Sequence, residues 1–222
     1  MLKKIRRLRD IARFMYAQRI VGFDVSDTPW LDEETAQWLE ARLAKTAMYM
    51  EFGAGGSTRL AGRMKVPTIS VEGDRYFARS VRRGLAADHQ VTVLDAGIGT
   101  TVEWAIPLPG KPNDQRAARW ANYVNAPFTA LAAQQRPFPD LVLVDGRFRR
   151  ACALKTALEA GQHAASAELL FDDYFDTGRE HYHVVEEILG APQRIGRSAI
   201  FSIRPVNPAT QAHVDAAIRD YR

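Results

Sequence analysis

Glycines cluster where an apolar run of the sequence is predicted to give way to a helix. The stretch Met48–Thr58 reads Met-Tyr-Met-Glu-Phe-Gly-Ala-Gly-Gly-Ser-Thr. Glycine lets the backbone turn sharply and bring N–H groups against a ligand, and a helix that starts at Ser57 or Thr58 offers further free N–H groups. Glu72 ends the next predicted strand, 19 residues beyond Gly53, and a carboxylate at that position can accept both hydroxyls of a ribose. The pattern predicts a site for a cofactor that contains adenosine.

The residues around this turn discriminate between cofactors. A nucleoside-triphosphate loop requires a lysine after its last glycine, and this turn has none. The dinucleotide fingerprint has a small residue at its third glycine position, which Thr58 occupies here. Glu51, two residues before Gly53, suits a ligand that carries an ammonium group. These features favour S-adenosylmethionine over NAD, and an NAD(P)-dependent oxidoreductase is the alternative.

Carboxylates follow two further apolar runs. Asp145 comes after Leu-Val-Leu-Val, and Asp172 and Asp173 come after Leu-Leu-Phe. The carboxyl ends of parallel strands meet at one edge of a sheet, where three carboxylates repel one another unless something positive lies between them. Oxygen ligands in this number suit Mg²⁺ or a similar divalent ion, whereas paired carboxylates are commonly matched by arginine. Three arginines follow closely: Arg147, Arg149 and Arg150. The sequence leaves both interpretations open.

Apolar runs and helical stretches alternate from residue 47 onward. The predicted strands are Ala47–Phe52, Thr68–Glu72, Gln90–Leu94, Leu141–Asp145 and Glu168–Phe171. The predicted helices are Ser57–Met64, Tyr76–Ala87, Gln115–Gln135 with a break near Pro127, Ala151–Ala160 and Arg179–Leu189. Strands that are apolar throughout indicate a mostly parallel sheet covered on both faces, so the predicted fold is α/β, Rossmann-like and doubly wound. Gln193–Ile195 and Ser198–Arg204 predict a C-terminal antiparallel hairpin.

The chain divides into three predicted segments. Residues 1–45 form a helical extension, residues 46–206 the sheet domain and residues 207–222 a helical tail. Asp32 is a candidate N-cap for the second helix of the extension. Several aromatic residues between the third and fourth predicted strands are expected to pack in the core, namely Trp120, Tyr123 and Phe128. Trp104 is the best candidate to line an acceptor pocket.

Positive charge is concentrated at the start of the chain. The 222 residues carry a net charge of +4, yet residues 1–19 hold seven basic groups and one acid. The remaining 203 residues hold 23 basic and 25 acidic groups, which argues against a nucleic-acid-binding surface over the whole protein. The single cysteine, Cys152, excludes an internal disulfide framework and suits a reducing, cytoplasmic location.

Residues 1–19 are predicted to form a basic amphipathic helix. Its apolar positions recur at helical spacing and are Ile5, Leu8, Ala12 and Met15. No apolar region of signal-peptide length follows. Such a helix either packs its apolar stripe on the domain or docks on an anionic membrane or another acidic partner. A non-catalytic adaptor that docks through this helix is a further alternative to an enzyme.

The glycine stretch and the acid that follows it resemble two motifs of class I S-adenosylmethionine-dependent methyltransferases. Glu51-Phe-Gly-Ala-Gly-Gly resembles the first motif, Val71-Glu72-Gly73-Asp74 resembles the second, and the likeness extends over about Ala47–Pro205. By this resemblance Glu72 binds the ribose hydroxyls, and Gly73 and the turn from Asp95 to Ile98 flank the adenine. The residues that the resemblance assigns to the methionine part are Glu51, Gly53, Ala54, Gly55, Gly56, Ser57 and Thr58.

The carboxylates resemble the metal ligands of O-methyltransferases that act on antibiotic sugars or catechols. In that resemblance Asp145, Asp172 and Asp173 hold the metal, and Asp145 favours deprotonation of the acceptor, directly or through the metal. Arg147 departs from the pattern, because the sugar enzymes commonly have an acid there. The strand also ends in Asp-Gly-Arg rather than the Asn/Asp-Pro-Pro sequence typical of amino-group methylation on bases.

The segments Val-Asp-Gly-Arg-Phe-Arg and Leu-Leu-Phe-Asp-Asp-Tyr are similar to those of uncharacterised bacterial methyltransferase-like proteins. That similarity implies the fold and leaves the acceptor open. The sequence thus predicts an S-adenosylmethionine-dependent methyltransferase that acts on oxygen of a small-molecule or saccharide-like acceptor. It predicts no specific nucleic-acid partner.

Overall fold

The computed structural model describes the backbone of residues 2–222 and the side chains of residues 9–222. The α-helices in this part of the chain are α1 Leu2–Tyr16, α2 Glu33–Leu43, α3 Gly56–Arg63, α4 Arg75–Arg83, α5 Asp114–Ala133, α6 Arg149–Gln162, α7 Glu186–Leu189 and α8 Gln211–Ile218. The strands are β1 Tyr49–Phe52, β2 Thr68–Glu72, β3 Val91–Asp95, β4 Thr101–Val102, β5 Ile106–Pro107, β6 Leu141–Val144, β7 Ala167–Phe171, β8 Gln193–Ile195 and β9 Ser198–Ile203.

Seven of these strands form one sheet in the order β3-β2-β1-β6-β7-β9-β8. Strands β1, β2, β3, β6 and β7 are parallel, and β9 and β8 add an antiparallel hairpin at one edge. The order reverses between β1 and β6, which is the point where doubly wound sheets bind ligands. The predicted α/β class, the parallel sheet and the terminal hairpin are confirmed.

The sheet is buried on both faces. Helices α5, α6 and α8 cover one face, where the aromatic residues Trp120, Tyr123 and Phe128 pack in the largest apolar cluster. On the other face, Leu39 and Leu43 of α2 pack with residues of β1, β6 and β7. Helix α2 therefore shares a core with the sheet, and the division of the chain at residue 45 stays a prediction.

Local signals explain where several helices begin. The Asp32 carboxylate accepts the N–H of Thr35 at 3.1 Å and so caps α2, as predicted. Asp74 caps α4 by accepting the N–H groups of Tyr76 and Phe77 at 2.8 and 3.2 Å. The cap at Asp74 fixes the chain immediately after Glu72.

Two predicted helices differ from the structure. Helix α5 runs through Pro127 without a break, and Pro127 is buried there, although proline removes a helical N–H donor. The predicted helix Arg179–Leu189 is a 3₁₀ helix over Glu180–Val185 followed by the short α7. Neither difference affects the prediction of where the parallel strands end.

The N-terminal segment follows an unusual path after α1. Residues Ala17–Val21 form a π-helix, and an extended stretch then leads across the sheet edge to α2. The basic side chains Lys3, Lys4, Arg6 and Arg7 and the apolar Ile5 and Leu8 of the predicted amphipathic helix lie outside the described side chains. Within residues 2–222, none of the helices combines the length and apolar composition that crossing a bilayer requires.

Candidate functional site

The glycine turn lies at the carboxyl end of β1 and leads into α3. Gly53 has a φ of +109°, and a Cβ there would lie 2.7 Å from the backbone nitrogen of Gly146. A Cβ on Gly146 would in turn lie 1.9 Å from the hydroxyl oxygen of Tyr123. The turn after β1 and the turn after β6 therefore touch backbone to backbone, which requires glycine on both sides.

The Glu51 carboxylate stabilises the glycine turn through hydrogen bonds. It is fully buried and accepts hydrogen bonds from the hydroxyls of Tyr49 at 3.0 Å, Ser57 at 2.7 Å and Thr58. The Thr58 hydroxyl also accepts the N–H of Gly55 at 2.8 Å. Burial raises the pKa of Glu51, and the hydroxyl donors oppose that shift. Glu51 thus links β1 to α3, and its contact with a ligand ammonium group stays a prediction.

Glu72 lies on the neighbouring strand at the same edge of the sheet. Strand β2 pairs with β1 in parallel, so Glu72 ends next to the glycine turn. Its Oε1 accepts the N–H of Asp74 at 2.8 Å. Burial is the main cause that raises the pKa of Glu72 to about 7. The carboxyl group is therefore poised between its neutral and charged forms near neutral pH.

The loop after β3 lies beside Glu72 at the same edge of the sheet. Asp95 pairs with Glu72 in the β2–β3 register, is exposed, and accepts the N–H of Gly97 at 3.1 Å. Ile98 is buried against Gly73, where a Cβ would lie 2.7 Å from its Cδ1. The structure thus brings the predicted ribose and adenine residues together at one edge.

A covering segment, residues 17–32, crosses this edge and was not foreseen. A Cβ on Gly56 would lie 1.9 Å from the carbonyl oxygen of Thr28, so the segment rests directly on the glycine turn. The buried Gln18 amide donates to the Asp74 carboxylate. The Trp30 and Trp104 rings meet edge to face at 6.1 Å between centroids. Trp104, the predicted pocket residue, therefore contacts the covering segment and is largely exposed.

The three aspartates form a second cluster at the ends of β6 and β7, as their spacing predicted. Their carboxylate oxygens include one from each residue within 4.8 Å of one another. The buried Arg149 lies among them, with Nη2 at 2.9 Å from Asp145 and 3.2 Å from Asp173. Arg197, on the β8–β9 turn, contacts Asp172 at 3.2 Å and Asp173 at 3.1 Å.

Charges within this cluster shift its pKa values in opposite directions. Burial raises the pKa of Asp145 well above its usual range, and the neighbouring Asp172 and Asp173 add to the shift. Burial acts the same way on Asp173, but Arg149, Arg197 and Arg179 outweigh it and lower that pKa. Of Asp145 and Asp173, Asp145 is therefore the residue that holds a proton more readily.

Only one of the three arginines suggested by the sequence neutralises the aspartates. Arg149 does so, whereas Arg150 pairs with Asp220, near the C-terminus, at 2.8 Å. The backbone fold brings in Arg197 and Arg179, with Arg179 at 3.7 Å from Asp173. Sequence reasoning missed both, because the first lies on a hairpin turn and the second in a loop.

The donor set does not fit a divalent metal in this arrangement. Asp145, Asp172 and Asp173 each direct oxygen atoms at guanidinium groups, and the Ser198 hydroxyl also donates to Asp172 at 2.8 Å. Three arginines match the three carboxylates in charge. A metal would have to displace these buried ion pairs, which is costly.

Substituting Gly53 by alanine is expected to destabilise the fold by about 2 kcal/mol or more, because strain at positive φ adds to a backbone collision. Gly190 is a matched control, with a φ of +79° and open space around its Cβ position. Gly190→Ala should cost only the strain, about 1 kcal/mol. Urea denaturation of both variants measures the difference, and equal losses would contradict the contact between the two turns.

The mostly parallel sheet, its strand-order reversal and its terminal antiparallel hairpin are those of the class I S-adenosylmethionine-dependent methyltransferase superfamily. A crystal structure of a methyltransferase-like protein from Silicibacter pomeroyi is 32% identical, with a TM-score of 0.69; the match covers 88% of this chain and 100% of that one. The chain belongs to this family of methyltransferase-like proteins.

A second solved structure is similar to a lesser degree. It is a Thermus thermophilus 16S rRNA N2 G1207 methyltransferase in complex with AdoMet and guanosine, 16% identical, with a TM-score of 0.37, matching 80% of this chain and 41% of that one. A likeness this remote carries no weight for the cofactor or the acceptor. No protein-family model and no curated protein matches the chain.

Proposed function

We propose that this protein is an S-adenosylmethionine-dependent methyltransferase that acts on oxygen of a small-molecule or saccharide-like acceptor. The observation that carries the proposal is the position of Glu72 beside the turn that begins at Gly53, at the ends of neighbouring parallel strands. That arrangement suits a ligand with a ribose and an adjoining chain. Thr58 at the third glycine position argues against a dinucleotide.

In this proposal, different residues bind the ribose, the adenine and the methionine part of S-adenosylmethionine. Glu72 accepts the ribose hydroxyls, while Gly73, Asp95 and Ile98 surround the adenine. The methionine part lies on the glycine turn and the start of α3, formed by Gly53, Ala54, Gly55, Gly56, Ser57 and Thr58. The hydroxyls of Tyr49, Ser57 and Thr58 donate hydrogen bonds to Glu51, which holds the turn in place. The charged form of the Glu51 carboxylate attracts the ammonium group.

Asp145 is the residue that receives the acceptor proton. When bound, S-adenosylmethionine supplies a methyl group that is already electrophilic, so the protein mainly aligns the acceptor hydroxyl. Asp145 lies at the end of β6, next to the strand that carries the glycine turn. Burial raises the pKa of Asp145, so its charged form binds a proton more strongly than an ordinary aspartate does, and Arg149, 2.9 Å away, favours that charged form.

Arg149 and Arg197 supply the positive charge that the resemblance assigns to Mg²⁺. This arginine interpretation predicts that Mg²⁺ changes neither the melting temperature nor the heat of ligand binding. Calorimetry and thermal melts with and without Mg²⁺ measure both. A Mg²⁺ effect that disappears in Asp172→Asn would instead favour a metal held by Asp145, Asp172 and Asp173.

Calorimetric titration with S-adenosylhomocysteine and with NAD tests the proposed function. We expect micromolar binding of S-adenosylhomocysteine, a free energy of about −8 kcal/mol, and no heat with NAD. Binding of NAD alone would favour the oxidoreductase alternative. Binding of neither would favour the adaptor alternative. If S-adenosylhomocysteine binds, a screen of hydroxylated acceptors with labelled S-adenosylmethionine then separates an enzyme from a binding protein.

A further inference from the structure

An exposed face beside the cofactor crevice combines apolar side chains with arginines. Tyr16, Ile20 and Val21 expose 62%, 69% and 72% of their surface. Arg19 lies between Tyr16 and Ile20 in the sequence, and its guanidinium group lies over the ring of Tyr76 in α4. We call this set the arginine–apolar face; its residues are Tyr16, Arg19, Ile20, Val21, Arg75, Tyr76 and Arg79.

The face is held in place by the opposite side of the same segment. Gln18 is buried, and its amide donates to Asp74 and, at 3.3 Å, to the Thr101 hydroxyl. Phe23 packs against Phe77 at 5.3 Å between ring centroids. Because Gln18 and Phe23 anchor the segment in the domain, Ile20 and Val21 on its other side are exposed to solvent.

The π-helix brings the apolar residues together. The N–H of Gly22 donates to the carbonyl of Ala17 at 2.9 Å, five residues back. Tyr16 and Ile20 are four residues apart and so lie on the same side of the helix, and Val21 follows directly. Single π-turns are frequently found at functional positions.

Three arginines surround one aromatic ring on this face. The guanidinium carbons of Arg19, Arg75 and Arg79 lie 5.5, 5.6 and 6.0 Å from the centre of the Tyr76 ring. Among the described side chains, none of the three has a carboxylate within 4.0 Å. Three like charges without acidic partners favour an anionic partner.

We propose that the arginine–apolar face docks the protein on an anionic lipid bilayer. Large apolar side chains rimmed by arginine match the two layers of such a surface, since the apolar groups enter the acyl boundary and the arginines meet lipid phosphates. A nucleic acid would use the arginines and the Tyr76 ring but has no counterpart for the exposed aliphatic Ile20 and Val21. The proposal is independent of methyl transfer.

Co-sedimentation of the full chain with vesicles tests the proposal. We expect binding to phosphatidylcholine vesicles that contain about one-third phosphatidylserine, and much weaker binding to pure phosphatidylcholine or at high salt. Ile20→Ser with Val21→Ser should reduce partitioning at least about tenfold. Arg75→Gln with Arg79→Gln should reduce it by a similar factor.

A matched pair at the opposite edge of the sheet is the control. Arg204 is exposed and Val206 is 94% exposed, so Arg204→Gln with Val206→Ser removes the same kinds of group elsewhere. Absence of binding to anionic vesicles, or an equal loss in this control, would overturn the proposal. So would a single-stranded RNA oligonucleotide that binds through Arg75 and Arg79 while the Ile20 and Val21 variant still sediments normally with vesicles.

Discussion

Replacing Glu72 by glutamine is expected to weaken the binding of S-adenosylhomocysteine about 10- to 100-fold, since hydrogen bonds to a charged group contribute about 1.5–3 kcal/mol. Glutamine keeps the size of the side chain, but its NH₂ group faces the ribose hydroxyls as a second donor. Titration calorimetry measures the loss. Glu103→Gln is the control, because Glu103 is an exposed acid in the 3₁₀ helix that follows β4.

The pH dependence of binding gives a second test of the same carboxyl. The pKa of Glu72 is raised to about 7, and the ribose hydroxyls need the charged carboxylate as acceptor. Affinity should therefore fall by up to about tenfold per pH unit below the pKa. The profile of Glu72→Gln should be flat over the same range. A wild-type profile without this slope would contradict the ribose assignment.

Stability should respond to pH in the opposite sense. The folded pKa of about 7 exceeds the ordinary value of 4.5, so the folded protein retains a proton that the unfolded chain releases. The free energy of unfolding should fall as pH rises between these values, by about 3 kcal/mol in total. Urea denaturation should show a fall in the wild type and Glu103→Gln that is smaller by about 3 kcal/mol in Glu72→Gln, where Glu51 and Asp145, whose pKa values are also raised, still contribute.

The parts of the fold that sequence predicted depend on short, local patterns. The apolar runs that became β1, β2 and β6 are buried on both faces and so leave a continuous signal in the sequence. The turn at Gly53 and the acid Glu72 are each read from their position at the end of such a run. Parallel pairing then brings both to one edge without further information.

Contacts between distant parts of the chain escaped prediction. Arg197 meets Asp172 only because β9 pairs antiparallel with β7, and no periodicity marks that pairing. Gln18 reaches Asp74 across 56 residues, through a π-helix that has no established sequence signal. The Pro127 break was predicted from local propensity, which tertiary packing overrode.

Arg149→Met is expected to destabilise the protein by about 3–5 kcal/mol, the usual cost of leaving buried charges without a partner. Arg149 is buried, and it contacts Asp145 at 2.9 Å and Asp173 at 3.2 Å. Its Nε also donates to the carbonyl of Gly146 at 3.1 Å. Methionine fills similar space but donates to none of these oxygens. Urea denaturation near neutral pH measures the loss.

Two further variants show whether charge or shape causes that loss. Arg150→Met removes a neighbouring arginine whose partly exposed pair with Asp220 should contribute about 1 kcal/mol or less. Adding Asp145→Asn to Arg149→Met should recover at least about 1 kcal/mol, because the two groups interact directly. If Arg149→Met cost no more than Arg150→Met, the aspartates would not depend on arginine, and a metal would again become the better explanation of three carboxylates at one sheet edge.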